Sequence, residues 1–166
     1  MSRVITFSRT FPLYHPRSGE QTHFIEKLYM NQFIGYEFKA PIQTILNLDL
    51  TVKYEPKYHT IRAGKRWKIG DKFSPRVWSG KPYRSKQLIL APDIAIKKVY
   101  DIRICPTEID GKVEFVGAIL INERLYFDWL TLACNDGLEL QEMLDWFKPS
   151  LPFKGQIICW NETIKY

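Results

Sequence analysis

From residue 57 to residue 118 the chain is cut at short intervals by turn-forming residues, and the pieces between the cuts alternate in polarity. Gly70-Asp71, Gly80-Lys81-Pro82 and Asp110-Gly111 are turn signals. Gly and Asp accept backbone angles that bulky residues resist, and Pro fixes its own. The intervening pieces are short and follow the two-residue period of a strand. Residues 57–62, 72–78, 85–90, 94–104 and 113–118 therefore read as strands, the last two joined by a tight hairpin at Asp110-Gly111.

The flanks add detail. Residues 3–8 read as a first strand, and residues 11–22, with Pro12, Pro16 and Gly19, as a loop. Thr22 is placed to cap a short helix carrying Phe24, Ile25 and Leu28. Residues 30–40 follow neither period, whereas residues 41–52 alternate β-branched and polar side chains and suit a strand. The last third changes character. Residues 128–135 read as a helix stopped by Gly137. Leu140, Met143, Leu144 and Phe147 follow i, i+3, i+4, i+7 and predict an amphipathic helix ending before Pro149. Residues 155–160 form a last strand. The expected fold is α+β: six to eight short strands in a mostly antiparallel sheet closing as a β-barrel, with two or three flanking helices. At 166 residues the chain suits a single domain over residues 1–166.

Composition excludes several classes. Hydrophobic residues at 45% and charged residues at 25% belong to a folded globular chain rather than a disordered one. No apolar run approaches the roughly 18 residues that cross a bilayer, and the first residues lack the apolar stretch of a secretory leader. Cys105, Cys134 and Cys159 are odd in number and far apart, which fits neither a disulfide framework nor a zinc site. They are expected to be reduced thiols in a cytoplasmic protein. His15, His23 and His59 have no ligand spacing, so neither metal nor cofactor is expected.

Charge is uneven along the chain. Residues 57–104 carry thirteen basic and three acidic side chains, although the net charge of the whole chain is only +6. Such a run points to a polyanionic partner. Tyr58, Trp67, Phe73, Trp78 and Tyr83 interleave with it. Bases stack on aromatic faces while Lys and Arg neutralise phosphates. The candidate binding set is accordingly His59, Arg62, Arg66, Trp67, Lys68, Arg76, Trp78, Tyr83, Arg84 and Lys86. Trp78 and Tyr83 are expected to be exposed, within a loop at residues 78–86 over a pocket mouth.

The segment Lys57-Tyr58-His59-Thr60-Ile61-Arg62, followed by Gly70-Asp71, resembles the signature of the ASCH family: a Lys, two residues, Thr-Ile-Arg, and a Gly-Asp that opens the next strand. Leu132-Ala133-Cys134-Asn135-Asp136-Gly137-Leu138 resembles the family's Ala-x-x-acid stretch. The resemblance covers residues 57–160, with an extended part before it. It implies a PUA-like β-barrel and RNA binding. Some small members are amidohydrolases that remove the acetyl group of N4-acetylcytidine, and the resemblance puts their Lys, Thr and carboxylate on Lys57, Thr60 and Asp136. Those enzymes use Glu where this chain has Asp, one methylene shorter.

The chemistry has a geometric condition. A Thr hydroxyl becomes nucleophilic when a neighbouring base takes its proton, and a Lys serves as that base once burial or adjacent positive charge lowers its pKa. On a regular strand, residues 57 and 60 face opposite sides. They converge only if Lys57 precedes the strand, which Pro56 allows. Thr60 and Arg62 share a face, and Arg62 suits a phosphate or carbonyl oxygen. The plainer readings are a strand Thr, a surface Lys, a structural His59 and an Asp136 that merely ends a helix. Three functions stay open: an RNA-, nucleoside- or nucleotide-binding domain, an amidohydrolase, and a protein-interaction domain with a solvated basic face.

Overall fold

The computed structural model describes residues 3–32 and 40–166; most of the ambiguous segment 30–40 lies outside the described residues. The chain is α+β. One sheet contains β1 (Arg3–Thr6), β3 (Lys72–Trp78), β4 (Gln87–Ile89) and β5 (Ile94–Ala95). In it β1 runs parallel to β3 on one edge, and β4 and β5 follow each other antiparallel along the other. The second sheet is wholly antiparallel, in the order β2 (His59–Ala63), β9 (Phe153–Cys159), β6 (Lys98–Ile109), β7 (Lys112–Ile121), β8 (Arg124–Leu125).

Local chemistry explains the elements. The β6–β7 hairpin turns at Asp110 (φ +52°) and Gly111 (φ +73°). Two successive left-handed residues are what a two-residue hairpin needs to match strand twist. In the paired strands Ile102 faces Ile121 and Ile104 faces Ile119, and all four are buried. Strand β9 is buried from Gly155 through Cys159, as befits a central strand covered on both faces.

Four helices are present among the described residues: α1 (Phe24–Gln32), α2 (Ala40–Leu46), α3 (Trp129–Asn135) and α4 (Leu140–Phe147). Thr22 Oγ1 accepts the Phe24 N–H at 3.3 Å, giving α1 the expected cap. Helix α4 opens with a reciprocal cap, in which the Glu139 N–H donates to Glu142 at 2.8 Å and the Glu139 side chain accepts from the backbone.

Helix α2 corrects the strand expected over residues 41–52. Alternating β-branched residues there also satisfy a helical period: Leu46 is buried, Ile42 packs against the core four residues earlier, and Asn47 closes the helix at φ +51°. Packing outweighed β-propensity, which is weak on its own.

The two sheets face each other across Phe7, Phe73 and Trp160, with ring centroids at 6.1 Å (Phe7–Trp160) and 5.8 Å (Phe73–Trp160). On one side the chain passes directly from β5 to β6 around the buried Ile96, joining the sheets at a corner. On the other side the edge strands β1 and β2 are not backbone-paired among the described residues. Nor are the opposite edges, β4 and β8, paired among the described residues, so the expected closure into a barrel is not found: the strands form two separate sheets. A side chain bridges the β1–β2 seam instead: Arg62 Nη2 of β2 donates to the Thr6 carbonyl of β1 at 2.7 Å.

Candidate functional site

Lys57 lies just before β2. Its N–H donates to the Lys27 carbonyl in α1 (3.0 Å), and the Tyr58 N–H donates to the Asn135 carbonyl at the end of α3 (2.8 Å). The lead-in is thus pinned between two helices, outside the alternation of the strand. That satisfies the condition set by the spacing: Lys57 and Thr60 line the same cavity.

Asp136 ends α3. Gly137 follows at φ +77°, and the Leu138 and Gly137 N–H groups return to the carbonyls of Ala133 (3.0 Å) and Cys134 (2.9 Å). This double closure fixes where the carboxylate points. Lys57 Nζ donates to Asp136 Oδ1 at 2.6 Å and also to the Asp136 backbone carbonyl. The ammonium lies 4.2 Å from the centroid of the Phe24 ring. Lys57 is 1% exposed and Asp136 6%.

Burial dominates the electrostatics. It pulls the Lys57 pKa down to about 8, against the attraction of Asp136 and with help from Arg62 and Lys27. It pushes Asp136 up, against the pull of Lys57 and Arg62. Both partners are thus driven toward their neutral forms, as expected when desolvation exceeds the Coulomb gain. Arg62 is also lowered by burial, and its Nε has no acceptor among the described residues.

The cavity holds about 50 Å³ and is lined by Ser8, Lys57, Thr60, Arg62 and Asp136 against the rings of Phe7, Phe24 and Trp146. That is room for a water or a small substituent rather than a whole ligand. Phe7, Ser8 and Arg62 also line a groove of about 780 Å³ on their other side. It lies off the carboxyl ends of the parallel strands β1 and β3, and its volume suits a nucleotide-sized molecule. Arg9, Leu13 and Gln21 form one wall, and Trp78, Lys81 and Tyr83 the other.

The structure brings Lys57, Thr60, Arg62 and Asp136 together in the cavity, and Arg62, Trp78 and Tyr83 around the groove. The loop expected over a pocket mouth does flank this groove. Tyr83 is 89% exposed at φ +62°, its ring centroid 5.3 Å from that of Trp78. Trp78, expected to be exposed, is only half-buried, because it ends β3 against the groove wall.

The other candidates lie elsewhere. His59 is fully buried, with Nδ1 3.6 Å from Asp136 Oδ1 and its ring against Tyr166. Burial, then the Lys57 charge, hold its pKa well below the usual histidine value, against a small opposing pull from the Leu132 carbonyl. Its ring nitrogens make no hydrogen bond of normal geometry among the described residues. Trp67 is core, edge-on to Phe73 and beneath Arg3. Arg66 and Lys68 are exposed on the turn before β3, at the end away from the groove. Arg76 is half-buried and bonded to Ser74 and Gln87. Arg84 and Lys86 are exposed beside Tyr83 but outside the groove lining.

Sequence reasoning missed Phe7, Ser8 and Arg9, which only the pairing of β1 with β3 brings to the site. Arg9 donates to the carbonyls of Leu46 (3.1 Å) and Ser79 (3.4 Å), tying the two walls together.

Among the described residues no group of three or more His, Cys, Asp and Glu side chains is arranged to hold a metal ion, and no helix is long and apolar enough to cross a membrane. All three cysteines are unpaired. The chain matches no family model, no curated protein and no solved structure.

Proposed function

We propose that the chain is a nucleic-acid- or nucleotide-binding domain of PUA-like, ASCH type, acting in the cytoplasm. A base stacks on Tyr83 and Trp78 in the groove, and its polar edge points past Arg62 toward Lys57 and Thr60. Tyr83 carries this reading. An aromatic side chain held at φ +62° while 89% exposed gives the fold no burial and costs it backbone strain. A stacking ligand would supply what the fold does not. Arg62 offers an Nε–H without an acceptor among the described residues, at the inner end of the same groove. The two facing sheets, joined at one corner, support the PUA-like comparison, and the three unpaired cysteines support a reducing compartment. Titration of the protein with single-stranded RNA at low salt tests the reading. It expects binding that weakens steeply as salt rises and that is lost in Tyr83→Ala. Absence of binding at low salt would sink it.

A second reading is favoured by one observation: Thr60 shares its cavity with a buried lysine held at a pKa of about 8. In that reading the neutral Lys57 amine takes the Thr60 proton as Oγ1 attacks an acyl carbonyl, with the Arg62 Nε–H facing the oxyanion. The C–N bond breaks, Lys57 returns the proton to the departing amine, and water then hydrolyses the Thr60 ester to release the acid. Incubation with N4-acetylcytidine and chromatography for cytidine decides it. Release by the parent and none by Thr60→Ala supports the enzyme; equal release by both, or none by either, removes it.

A further inference from the structure

The fold divides the basic run into two groups. Lys81, Arg84 and Lys86 belong to the loop that follows β3, beside the groove, whereas Arg66 and Lys68 lie in the turn that precedes it and Lys72 is its first residue, at the opposite end. All six are exposed, and none forms a salt bridge with any described residue. Their neighbours differ. Arg3 is paired with Asp71 (3.8 Å), Lys65 with Asp101 (2.5 Å) and Lys97 with Glu162 (3.0 Å). Local acids are therefore already engaged, and Asp71 also accepts the Lys68 N–H at 3.0 Å. Three uncompensated cations stay at each end. A strand of seven residues rising about 3.3 Å each separates the two groups by about 20 Å.

That separation constrains the ligand. A mononucleotide bound in the groove can touch only the near group. A nucleic-acid strand advancing about 3.4 Å per residue reaches the far group with roughly six nucleotides.

We infer that Arg66 and Lys68 of the turn before β3, with Lys72 at its first residue, form a second contact site for a phosphate backbone, and that the groove's ligand is one base of a single-stranded nucleic acid rather than a free nucleotide. This rests on the groove being a base site. RNA and DNA share the phosphate chemistry, so both serve as probes.

The experiment compares the parent, Arg66→Gln/Lys68→Gln/Lys72→Gln, and Tyr83→Ala. Each is titrated with fluorescein-labelled 12-nucleotide RNA and DNA of one sequence across a salt series, and with each of the four 5′-ribonucleoside monophosphates by tryptophan fluorescence. The triple variant is expected to bind at least one of the 12-mers about tenfold or more weaker at low salt. The slope of log affinity against log salt should fall by about 2, because each lost phosphate contact of a single strand removes about 0.7. Its response to mononucleotides should equal the parent's. An unchanged 12-mer affinity and slope in the triple variant, with Tyr83→Ala still impaired, would overturn the second contact and leave the groove reading intact. A parent that binds neither 12-mers nor mononucleotides overturns both, and an acidic protein co-purifying with such a parent would assign the basic ends to protein docking instead.

Discussion

Replacing Lys57 by Met should cost far more than the wild-type ion pair contributes. In the native protein the Lys57 pKa falls from 10.5 to about 8, a shift worth about 3 kcal/mol against keeping the lysine charged at neutral pH. Asp136 is also pushed toward its neutral form. The charged pair is thus no net source of stability. Met fills the same channel beside Phe24 but leaves the Asp136 carboxylate buried without its 2.6 Å partner. Breaking one half of a buried pair typically costs about 3–5 kcal/mol. Lys57→Met should therefore lose about that amount in urea unfolding at pH 7. Lys57→Met/Asp136→Leu, with no charge to strand, should be at least as stable as the parent. Acid should help the single variant. With Lys57 gone, the Asp136 pKa rises further above its ordinary 3.8, so the folded form holds a proton that the unfolded form releases. Stability is then lost as pH rises through that window, and the deficit relative to the parent should shrink between pH 7 and pH 5. A single variant within 1 kcal/mol of the parent at pH 7, or a deficit independent of pH, would refute the reasoning.

Other outcomes follow from the same geometry. Gly155→Ala should destabilise by about 1–3 kcal/mol in thermal or urea unfolding, because a Cβ there would sit 2.2 Å from the Arg62 carbonyl on the neighbouring strand. Gly137→Ala should cost about 1–2 kcal/mol through its φ of +77°. Tyr83→Gly should leave the melting temperature unchanged or raised by relieving the positive φ, while nucleic-acid affinity drops by about 1–3 kcal/mol for the lost stacking. If N4-acetylcytidine is turned over, kcat/KM should rise with pH and level off above about 8, as Lys57 loses its proton; a profile flat from pH 6 to 9 would separate Lys57 from the chemistry.

What the sequence discloses depends on how local the cause is. Strand β3 falls at residues 72–78 as expected, because turn residues bound it on both sides and its alternation is local. The Asp110-Gly111 hairpin and the close of α3 at Gly137 are legible for the same reason: positive φ values need particular residues. Helix α2 is not legible, because Ile42 to Leu46 fits either period and only the core decides between them. Lys57, Thr60 and Asp136 converge in one cavity, but the reason is tertiary. Two helix ends hold the Lys57 lead-in off the strand. The wall built by residues 7–21 is not legible, since β1 meets β3 across the stretch of chain that holds α1, α2 and β2. Aromatic identity does not separate Trp67 from Trp78 either: one packs into the core from the connection between β2 and β3, and the other ends β3 at the groove.

The position of the Lys57–Asp136 pair is harder to explain by folding than by ligand chemistry. A buried ion pair whose desolvation exceeds its Coulomb gain is one that two apolar residues of similar volume would replace without loss. It is kept, moreover, beside the seam where the edge strands β1 and β2 are not backbone-paired among the described residues. Arg62 spans that seam with a hydrogen bond to Thr6 on one nitrogen, and its Nε has no acceptor among the described residues. Continuing the backbone ladder from β1 to β2 would be the cheaper way to join the edges, because ladder hydrogen bonds satisfy every group they bury. An open seam lined by Lys57, Thr60, Arg62 and Asp136 instead concentrates donors and a perturbed amine at the inner end of a groove whose rim carries an exposed aromatic. Each of these features lowers the stability of the isolated chain. A ligand that presents an aromatic face outward and a hydrogen-bonding edge inward would compensate all of them at once, which is why the site reads as a place for a base rather than as an imperfectly closed core.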